Sequence, residues 1–293
     1  MSGCLAQLPP PLKDKTGWPW TEATDPRLYQ TRADWPTITI VTPSYNQGQF
    51  IEATIRSVLL QNYPNLEYFI MDGGSTDETV EIIKRYEPWI TGWVSEPDNG
   101  QSHAINKGMK LATGQLLNWL NSDDYLVKEG LFRLAAQLNE VSLSPALYCG
   151  YCEIADEFGN RLGQKRLKAM TRAYLLSVRH FPQPATFFNQ AYITAHPIDE
   201  ALHFAMDFRF YLEGYLKNAP VHFINDYLAC SREYAQTKTR TGGKKLRNER
   251  LGVARLLRQR DLLDAEEFLF LKKNILIKNK KTGIFSKIYH LFR

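Results

Sequence analysis

The residues from Asn118 to Tyr125 read NWLNSDDY, and this stretch decides the class of fold. An apolar run ends there in a polar turn, which is typical of a buried strand, although a turn of buried helix has the same pattern. Ligands of open α/β sheets bind outside the carboxyl ends of the strands. Asp123 and Asp124 would repel each other at such an end unless a cation neutralised them, and carboxylate oxygens suit Mg²⁺ or Mn²⁺. A solvated turn, or a cap for a helix predicted near 128–138, is the alternative.

The pattern of strand, polar turn and helix occurs three times before this stretch. Strands are predicted over 37–42, 66–71 and 90–95, and helices over 49–61, 78–86 and 102–112. Such alternation predicts βαβ units and a mostly parallel sheet, and hence the α/β class. Because parallel strands end at one edge of a sheet, the polar clusters at 45–46, 72–74 and 121–124 should meet there.

The second half of the chain is less regular than the first. It predicts strands over 147–155 and 221–229, a helix over 205–216, and helical structure beyond Gly243. We therefore expect an irregular N-terminal arm over residues 1–35, an α/β domain over 36–235 and a basic helical extension over 236–293.

Charge is distributed unevenly along the 293 residues, whose formal net charge is +5. Residues 1–235 hold 20 Lys/Arg and 26 Asp/Glu, a formal charge of −6, whereas residues 236–293 hold 16 and 5, a charge of +11. A basic tail indicates an anionic partner surface. The apolar residues that interleave its cations suit an anionic membrane better than nucleic acid, and we expect no nucleic-acid partner. Docking of the tail on the body or on a second subunit is the alternative, and the sequence does not specify an oligomer.

Two further features bear on the cellular compartment. No run of about 18–20 apolar residues is present and no secretory signal is visible, so we expect a cytoplasmic protein that can also work at the membrane surface. Cys149 and Cys152 form a CxxC pair, which can be a redox pair or half of a zinc site. No second pair completes a zinc site, and the surrounding strand pattern favours buried structural cysteines.

Two segments of the first half resemble a known family. They are TITIVTPSYNQGQFIEATIRSVLLQNYPNLEYFIMDGGSTDETVEII, residues 37–83, and SEPDNGQSHAINKGMKLATGQLLNWLNSDD, residues 95–124. They resemble the family 2 glycosyltransferases, which are inverting, metal-dependent enzymes with a GT-A fold and nucleotide-sugar donors. The resemblance is dense over 38–125 and looser to residue 231. It implies transfer of a sugar, with UDP as the favoured carrier, to a hydroxyl of a glycan or lipid-linked acceptor in cell-surface polysaccharide synthesis.

The resemblance also implies roles for individual residues. Asp124 would bind Mn²⁺ or Mg²⁺, and Asp72 would accept a hydrogen bond from the uracil N3–H group, unless it only forms a turn before the glycines. Asp207, within HFAMDFRFYLEG at 203–214, would be the catalytic base, with a helix-start carboxylate as the alternative. The other implied nucleotide- and donor-binding residues are Pro43, Ser44, Tyr45, Asn46, Gly73, Asp98, Asn106, Lys107 and Asp123.

The chain departs from the family pattern at three of these motifs. His103 stands where many relatives carry Asp, and Met206 stands where Glu often precedes the base. Arg232 is kept, but Tyr234 stands where relatives often carry a histidine that approaches the metal or the phosphates.

Two other functions remain open at this point. A sugar nucleotidyltransferase normally has a basic phosphate loop after the first strand, and PSYNQGQ at 43–49 contains no Lys or Arg. A non-catalytic nucleotide-sugar binding protein would keep Asp72 and Asp124 but would tolerate the loss of Asp207.

Overall fold

The computed structural model describes residues 4–167, 169–179 and 181–289, with side chains of the last helix described to residue 277. Its strands are β1 Ile38–Ser44, β2 Leu66–Asp72, β3 Gly92–Ser95, β4 Leu116–Trp119, β5 Tyr125–Leu126, β6 Leu147–Ala155, β7 Arg161–Lys165, β8 Thr186–Asn189 and β9 Val221–Arg232. Its helices are α1 Gly48–Leu59, α2 Thr79–Tyr86, α3 Gln101–Leu111, α4 Gly130–Ala136, α5 Arg172–Leu176, α6 Gln190–Ala195, α7 Met206–Leu216, α8 Lys238–Thr241, α9 Gly243–Gln259 and α10 Ala265–Tyr289. Short 3₁₀ turns occupy Cys4–Ala6, Pro26–Thr31, Glu87–Trp89 and Gln183–Ala185.

All strands of the described part belong to one mixed sheet with the order β3-β2-β1-β4-β8-β6-β9-β5, and β7 pairs with β6. β3, β2, β1 and β4 are parallel, β8 is antiparallel to both of its neighbours, and β6 and β9 are parallel. The carboxyl ends of β1, β2, β4, β6 and β9 therefore lie along one edge, which we call the rim. The prediction that the three polar clusters at 45–46, 72–74 and 121–124 meet at one edge is confirmed.

The central strand of the parallel half, β1, is covered on both faces. Every residue of β1 is buried, as expected for a strand covered by helices on both sides. Helix α3 lies closely on β1, since a Cβ at Gly108 would come within 2.4 Å of the Val41 side chain. This close approach fixes where the N-terminal end of α3 meets the rim.

The two faces of the sheet carry separate hydrophobic cores, and the CxxC pair is divided between them. Cys149 lies in one core and Cys152 in the other, and both side chains are fully buried. Burial raises the pKa of the Cys149 thiol to about 12. Since residues three apart on a strand point to opposite faces, the pair is structural, as the strand pattern indicated.

The turn after β4 does not cap the next helix. The N-cap of α4 is Glu129, which has a left-handed backbone with φ of 65° and makes no side-chain cap. The alternative that Asp123 or Asp124 caps a helix near 128–138 is therefore wrong.

A buried cation, Arg56 of α1, makes several of the contacts that hold the N-terminal arm on the sheet domain. Its guanidinium donates hydrogen bonds of 2.7–3.0 Å to the carbonyl oxygens of Pro9, Pro19 and Trp20 in the arm. It also donates to the hydroxyl of Tyr86, and only 1% of the residue is exposed. Arg56 thus satisfies three backbone acceptors that have left water.

We expect Arg56→Ala to lower the free energy of unfolding by about 3–5 kcal/mol, because three carbonyl groups would lose a charged donor in a buried place. Urea unfolding would measure the change. Lys84→Ala, on the exposed face of α2, is the matched control and should change stability by less than about 0.5 kcal/mol. Equal stability of the two variants would contradict the anchoring role of Arg56.

The C-terminal helices pack on the sheet domain rather than extending away from it. Leu246, Val253 and Leu257 of α9 and Leu271 of α10 join the core that also holds α7. No helix among the described residues is long and apolar enough to span a membrane.

Candidate active site

Two adjacent carboxylates form the centre of the rim, in the turn after β4. The carboxylate of Asp124 accepts hydrogen bonds from the backbone N–H of Arg232, at 2.9 Å, and from the amide of Asn121, at 3.3 Å. The carboxylate of Asp123 accepts a hydrogen bond of 2.9 Å from the Tyr234 hydroxyl. Tyr234 therefore takes part in the site, although it holds Asp123 rather than presenting a metal ligand as a histidine would.

Arg232 also reaches this pair from the end of β9. It donates a 2.6 Å hydrogen bond to the carbonyl oxygen of Asp123, and its guanidinium lies over the rings of Tyr125, at 4.7 Å, and Phe50, at 5.1 Å. These ring contacts restrain the cation beside the two carboxylates, which gives a fixed positive charge where an anionic ligand would bind.

The carboxylate pair is electrostatically strained in the absence of a cation. Desolvation raises the pKa of both groups, and the neighbouring charge of Asp123 raises that of Asp124 further. No cluster of three or more His, Cys, Asp or Glu side chains that could hold a metal occurs among the described residues. The donor set nevertheless fits Mg²⁺ or Mn²⁺, which are commonly held by one or two carboxylates with ligand phosphates and water completing the shell.

A chain of polar side chains links the carboxylate pair to helix α8. The ammonium of Lys238 donates to the side-chain oxygen of Gln101 at 2.8 Å, and Gln101 donates to Asn121 at 2.6 Å. Asn121 donates in turn to Asp124. Desolvation lowers the pKa of Lys238, while attraction to Asp123, Glu249, Asp98 and Asp207 opposes that effect. One cation is therefore within electrostatic reach of carboxylates on several elements of the rim.

Asp72, at the end of β2, is buried and bonded mainly to its own turn. Its Oδ2 atom accepts from the N–H groups of Gly74 and Ser75 and from the Ser95 hydroxyl, at 2.7–3.1 Å, while Oδ1 accepts from the Ser75 hydroxyl. Since a carboxylate offers about four acceptor positions, only Oδ1 keeps capacity for a further donor. Asp72 therefore makes the predicted turn, and its role toward uracil stays a prediction.

The loop after β1 is fastened to the loop after β2. The N–H of Asn46 donates to the Ser75 hydroxyl at 2.7 Å, and the Thr76 N–H donates to the Asn46 side chain at 2.9 Å. The N–H of Gly73 donates to the carbonyl of Ser44 at 2.8 Å. These bonds bring the predicted residues Ser44, Asn46 and Gly73 together.

The end of β1 and the loop after it combine one exposed ring with one buried hydroxyl. Pro43 is buried within β1, but 61% of Tyr45 is exposed. The Ser44 hydroxyl is buried and has no hydrogen-bond partner in the part of the chain that the structure describes. An aromatic face and an unsatisfied hydroxyl at a strand end suit recognition of a base and ribose.

Asp98 lies at the rim, whereas the side chains of Asn106 and Lys107 are engaged elsewhere. A Cβ built on Gly73 would lie 2.8 Å from the Asp98 carboxylate, so the two loops touch. The Asn106 amide donates to Ile198 and Glu200, and Lys107 pairs with Glu96 at 2.6 Å. These contacts favour structural roles for Asn106 and Lys107, and their roles toward a donor stay predictions.

The position of His103 is explained by the turn before α3. Its Nδ1 atom accepts a hydrogen bond of 3.2 Å from the N–H of Asn99, so the ring stabilises that turn. His103 therefore has a structural reason to be present, independent of any ligand.

Asp207 lies in the first turn of α7 and lines a small recess beside that helix. The recess walls are mostly apolar, and the carboxylate accepts a 2.6 Å hydrogen bond from the N–H of Phe208. Desolvation raises the pKa of Asp207, and the charges of Arg250 and Lys165 oppose this. A partly buried carboxylate with a raised pKa has the properties of a general base. The recess is lined by Leu175, Arg179, Phe181, Asp207, Phe208, Tyr211 and Leu212.

The C-terminal extension supplies residues that the sequence did not indicate. The carboxylate of Glu249, in α9, accepts hydrogen bonds from the N–H groups of His203, Phe204 and Ala205, at 2.7–3.2 Å. These three amides immediately precede helix α7, which carries Asp207. Because more than 40 residues separate Glu249 from this loop, no local pattern could reveal the contact.

We expect Glu249→Ala to lower the turnover number of the reaction about 10-fold, since the segment that positions Asp207 would lose its anchor. Donor binding should change less than turnover, because the carboxylate pair and Asp72 lie on other elements and only Lys238 loses the attraction of Glu249. Steady-state kinetics with separate kcat and donor KM would test this. Glu266→Ala, at an exposed position of α10, is the matched control. A change in donor KM with kcat unaffected would contradict the positioning role.

The sequence and the fold of the chain both resemble those of known proteins. Residues 39–215 match the profile of the family described as Glycosyl transferase family 2. A protein of Mycobacterium tuberculosis, named uncharacterized glycosyltransferase MT1564, is 39% identical over 90 residues, which cover 30% of this chain and 34% of that protein. The chain thus spans about a third of the length of this relative.

One relative and one solved structure carry more specific names. TuaG of Bacillus subtilis, named a putative teichuronic acid biosynthesis glycosyltransferase, is 34% identical over 125 residues, or 42% of this chain and 49% of TuaG. The structure of S. aureus TarS 1-349 in complex with UDP-GlcNAc superposes with a TM-score of 0.63 at 19% identity. It covers 82% of this chain and 71% of that one, and at this identity it shows a shared fold.

Proposed function

The chain belongs to glycosyl transferase family 2, and on that premise we propose that it is an inverting enzyme that moves a sugar from a nucleotide donor to a hydroxyl of a glycan or glycolipid. UDP is the carrier we favour. The observation that supports this most strongly is the convergence at the rim of the Asp123–Asp124 pair, Asp72 and Asp207, which three different elements supply. The UDP-GlcNAc in the complex of the structural neighbour TarS also supports a UDP-sugar donor.

We assign the donor nucleotide to the loops after β1 and β2. Tyr45 and the Ser44 hydroxyl would contact base and ribose, and the free capacity of Asp72 Oδ1 would receive the uracil N3–H. Gly73 lets the chain pass close to Asp98, which would border the donor sugar together with Asp123. A charged acceptor makes the bond to uracil stronger than a neutral one, which favours uridine over cytidine because cytosine has no N3–H.

We assign the diphosphate to the Asp124 side of the rim. A Mg²⁺ or Mn²⁺ ion held by Asp124 would neutralise phosphate charge and stabilise the departing nucleoside diphosphate. Arg232 and Lys238 add fixed positive charge beside the same group, and their restrained positions require little reorganisation as negative charge develops. Tyr234 and Asn121 hold the two carboxylates in place.

Asp207 would remove the proton from the acceptor hydroxyl as that oxygen attacks the anomeric carbon. The leaving diphosphate departs on the opposite face, so the configuration inverts without a covalent intermediate, through an oxocarbenium-like transition state. The raised pKa of Asp207 strengthens it as a base, and Glu249 keeps its segment in place. The acceptor would lie over the apolar recess beside Asp207.

We assign this reaction to the synthesis of a surface polysaccharide, in line with the name of TuaG. Helix α10 exposes Leu269, Phe270, Leu276 and Ile277, and Lys272 and Lys273 between them are exposed as well. Such a mixture suits the surface of an anionic membrane, where a lipid-linked acceptor would be present. The side chains of 278–289 and residues 290–293, where the rest of the predicted basic tail falls, lie outside the described residues.

A nucleotide screen tests the proposal. UDP, GDP, dTDP and CDP would each be added with and without Mn²⁺, and calorimetry would measure binding to the wild-type chain. We expect UDP to bind more tightly than CDP, and to bind only with metal. If no nucleotide binds under any condition, the proposed donor site is wrong. UDP binding without any transfer to glycans would favour the non-catalytic alternative.

A further inference from the structure

A long segment of this chain contains no acid, although the sheet domain as a whole is acidic. Residues 161–198 hold six Lys/Arg and no Asp or Glu, whereas residues 1–235 together hold 26 acids and 20 Lys/Arg. The segment includes β7, α5, β8 and α6. Of its six cations, Lys168 lies outside the described residues, and the other five are Arg161, Lys165, Arg166, Arg172 and Arg179.

The pairing of β7 places the start of this segment at the rim. β7 pairs with the last residues of β6, from Cys152 to Ala155, and Lys165 stands opposite Cys152. Lys165 is close enough to Asp207 to act on its carboxylate electrostatically. Arg179, from the loop after α5, lines the recess that contains Asp207. Two cations from different elements, Lys165 and Arg179, therefore lie near Asp207.

Three of these cations are exposed and have no ion-pair partner among the described residues, namely Lys165, Arg166 and Arg179. The other two behave differently, since Arg172 pairs with Glu267 and Arg161 lies 3.9 Å from Glu153. Exposed cations on an acidic protein usually form ion pairs with nearby carboxylates. Because residues 161–198 contain no Asp or Glu, these cations cannot form an ion pair within their own segment. Positive charge is left available for a ligand.

Aromatic rings restrain the two arginines of this set. Arg166 donates a 2.6 Å hydrogen bond to the Tyr227 hydroxyl and lies over the rings of Tyr227, at 5.2 Å, and Tyr151, at 5.7 Å. Arg179 lies 5.3 Å over the ring of Tyr174. A stacked guanidinium loses less conformational freedom when it binds, and its remaining N–H groups match the paired oxygens of phosphate or carboxylate.

We propose that the acceptor is an anionic glycan, whose phosphate or carboxylate groups are bound by Lys165, Arg166 and Arg179 while its hydroxyl lies at Asp207. The inference rests on the proposed function, because it takes the Asp207 side of the rim as the acceptor side. The donor phosphates have their own cations in Arg232 and Lys238, so this second group is left for the other substrate.

A pair of charge-matched variants tests the proposal. The test variant is Lys165→Gln, Arg166→Gln and Arg179→Gln, and the control is Lys13→Gln, Lys84→Gln and Lys110→Gln, which removes the same charge from exposed positions elsewhere. The probes are poly(glycerol phosphate) for phosphate, oligogalacturonate for carboxylate and maltoheptaose as the neutral glycan. Binding to the full chain would be measured by calorimetry at about 0.05 M and about 0.3 M salt.

We expect at least one polyanion to bind, the test variant to weaken it roughly 10-fold or more, and the control to keep wild-type affinity at both salt concentrations. Preference between the two polyanions would identify the group as phosphate or carboxylate. If both variants bind the polyanion equally weakly, the net charge of the protein alone explains the affinity. If maltoheptaose binds as tightly as the polyanions, the acceptor is a neutral glycan. Either result would overturn the proposal.

Two further measurements distinguish a membrane surface from an acceptor site, and the anion site from the donor site. If the test variant loses binding to anionic lipid vesicles but keeps its polyanion affinity, the surface faces a membrane and the proposal is wrong. UDP binding with Mn²⁺ is measured in every variant and should be unchanged. A wild-type chain that binds a polyanion through these residues but never binds UDP would refute the proposed donor site and not the anion site.

Discussion

Asp207→Asn is expected to slow sugar transfer by roughly 10²- to 10⁴-fold, which is the usual contribution of a positioned general base. The variant keeps the size and hydrogen-bonding shape of the side chain but cannot take a proton from the acceptor hydroxyl. Calorimetry should show wild-type affinity for UDP with Mn²⁺, because the carboxylate pair and Asp72 are untouched. The loss should therefore appear in kcat.

The pH dependence provides a second readout of the same residue. Desolvation raises the pKa of Asp207, although Arg250 and Lys165 oppose the shift. Only the ionised form accepts a proton, so wild-type kcat should fall as the pH drops through this raised pKa. Asp207→Asn should lose that dependence along with most of its activity.

Asp261→Asn is the matched control, because the Asp261 side chain is 93% exposed and contacts only the exposed Arg258, at 3.7 Å, among the ion pairs of the described residues. Its transfer rate should equal that of the wild type. If Asp207→Asn retained the full rate and pH profile, Asp207 would be the helix-start carboxylate of the alternative interpretation. The rates are compared only if circular dichroism shows that both variants keep the wild-type fold.

The first half of the fold could be predicted because its information is local. Each strand from β1 to β4 is a short apolar run followed by turn residues, and each intervening helix has its own amphipathic period. Parallel pairing then brings the ends at Ser44, Asp72 and Trp119 to one edge without further information. The predicted bounds in this half differ from the observed ones by at most two residues, a difference that is common at helix and strand ends.

The contacts that complete the site could not be predicted, because they join distant parts of the chain. Tyr234 reaches Asp123 across 111 residues, and Lys238 reaches Gln101 across 137. The extension was expected to meet an external surface because of its charge. Its first helices also place Lys238 and Glu249 at the rim. A basic composition alone could not reveal this contact with the body, and the expected anionic surface stays a prediction.

The departures from the family pattern also have physical explanations that the sequence could not supply. Tyr234 stands at a histidine position, and its hydroxyl donates to Asp123. This bond stabilises the charged form of a carboxylate that desolvation otherwise disfavours. The carboxylate pair is thus ordered by Tyr234, and a metal ion bound there would take more of its ligands from substrate and water.

The second large effect is expected for Asp124→Asn, which should abolish metal-dependent UDP binding and lower transfer by about 10³-fold or more. A neutral amide binds Mn²⁺ poorly, and the diphosphate would lose its counter-charge. Titration of UDP with Mn²⁺ by calorimetry measures the loss. Without metal neither protein should bind UDP measurably, so the two proteins should differ only when Mn²⁺ is present.

The same substitution should stabilise the metal-free protein above neutral pH. Burial and the charge of Asp123 raise the pKa of Asp124 to about 7, so the folded chain binds a proton that the unfolded chain releases near pH 4. The contribution of Asp124 to stability should therefore be fully present below about pH 4 and should be lost as the pH rises toward about 7. Asp124→Asn removes this loss and should gain on the order of 1 kcal/mol over the wild type at pH 8.

Urea unfolding at pH 5 and pH 8, without metal, measures the difference. Saturating Mn²⁺ and UDP should reverse the order by stabilising only the wild type. A variant less stable than the wild type at pH 8 without metal would show that Asp124 is a structural residue, held by Arg232 and Asn121 for the sake of the fold.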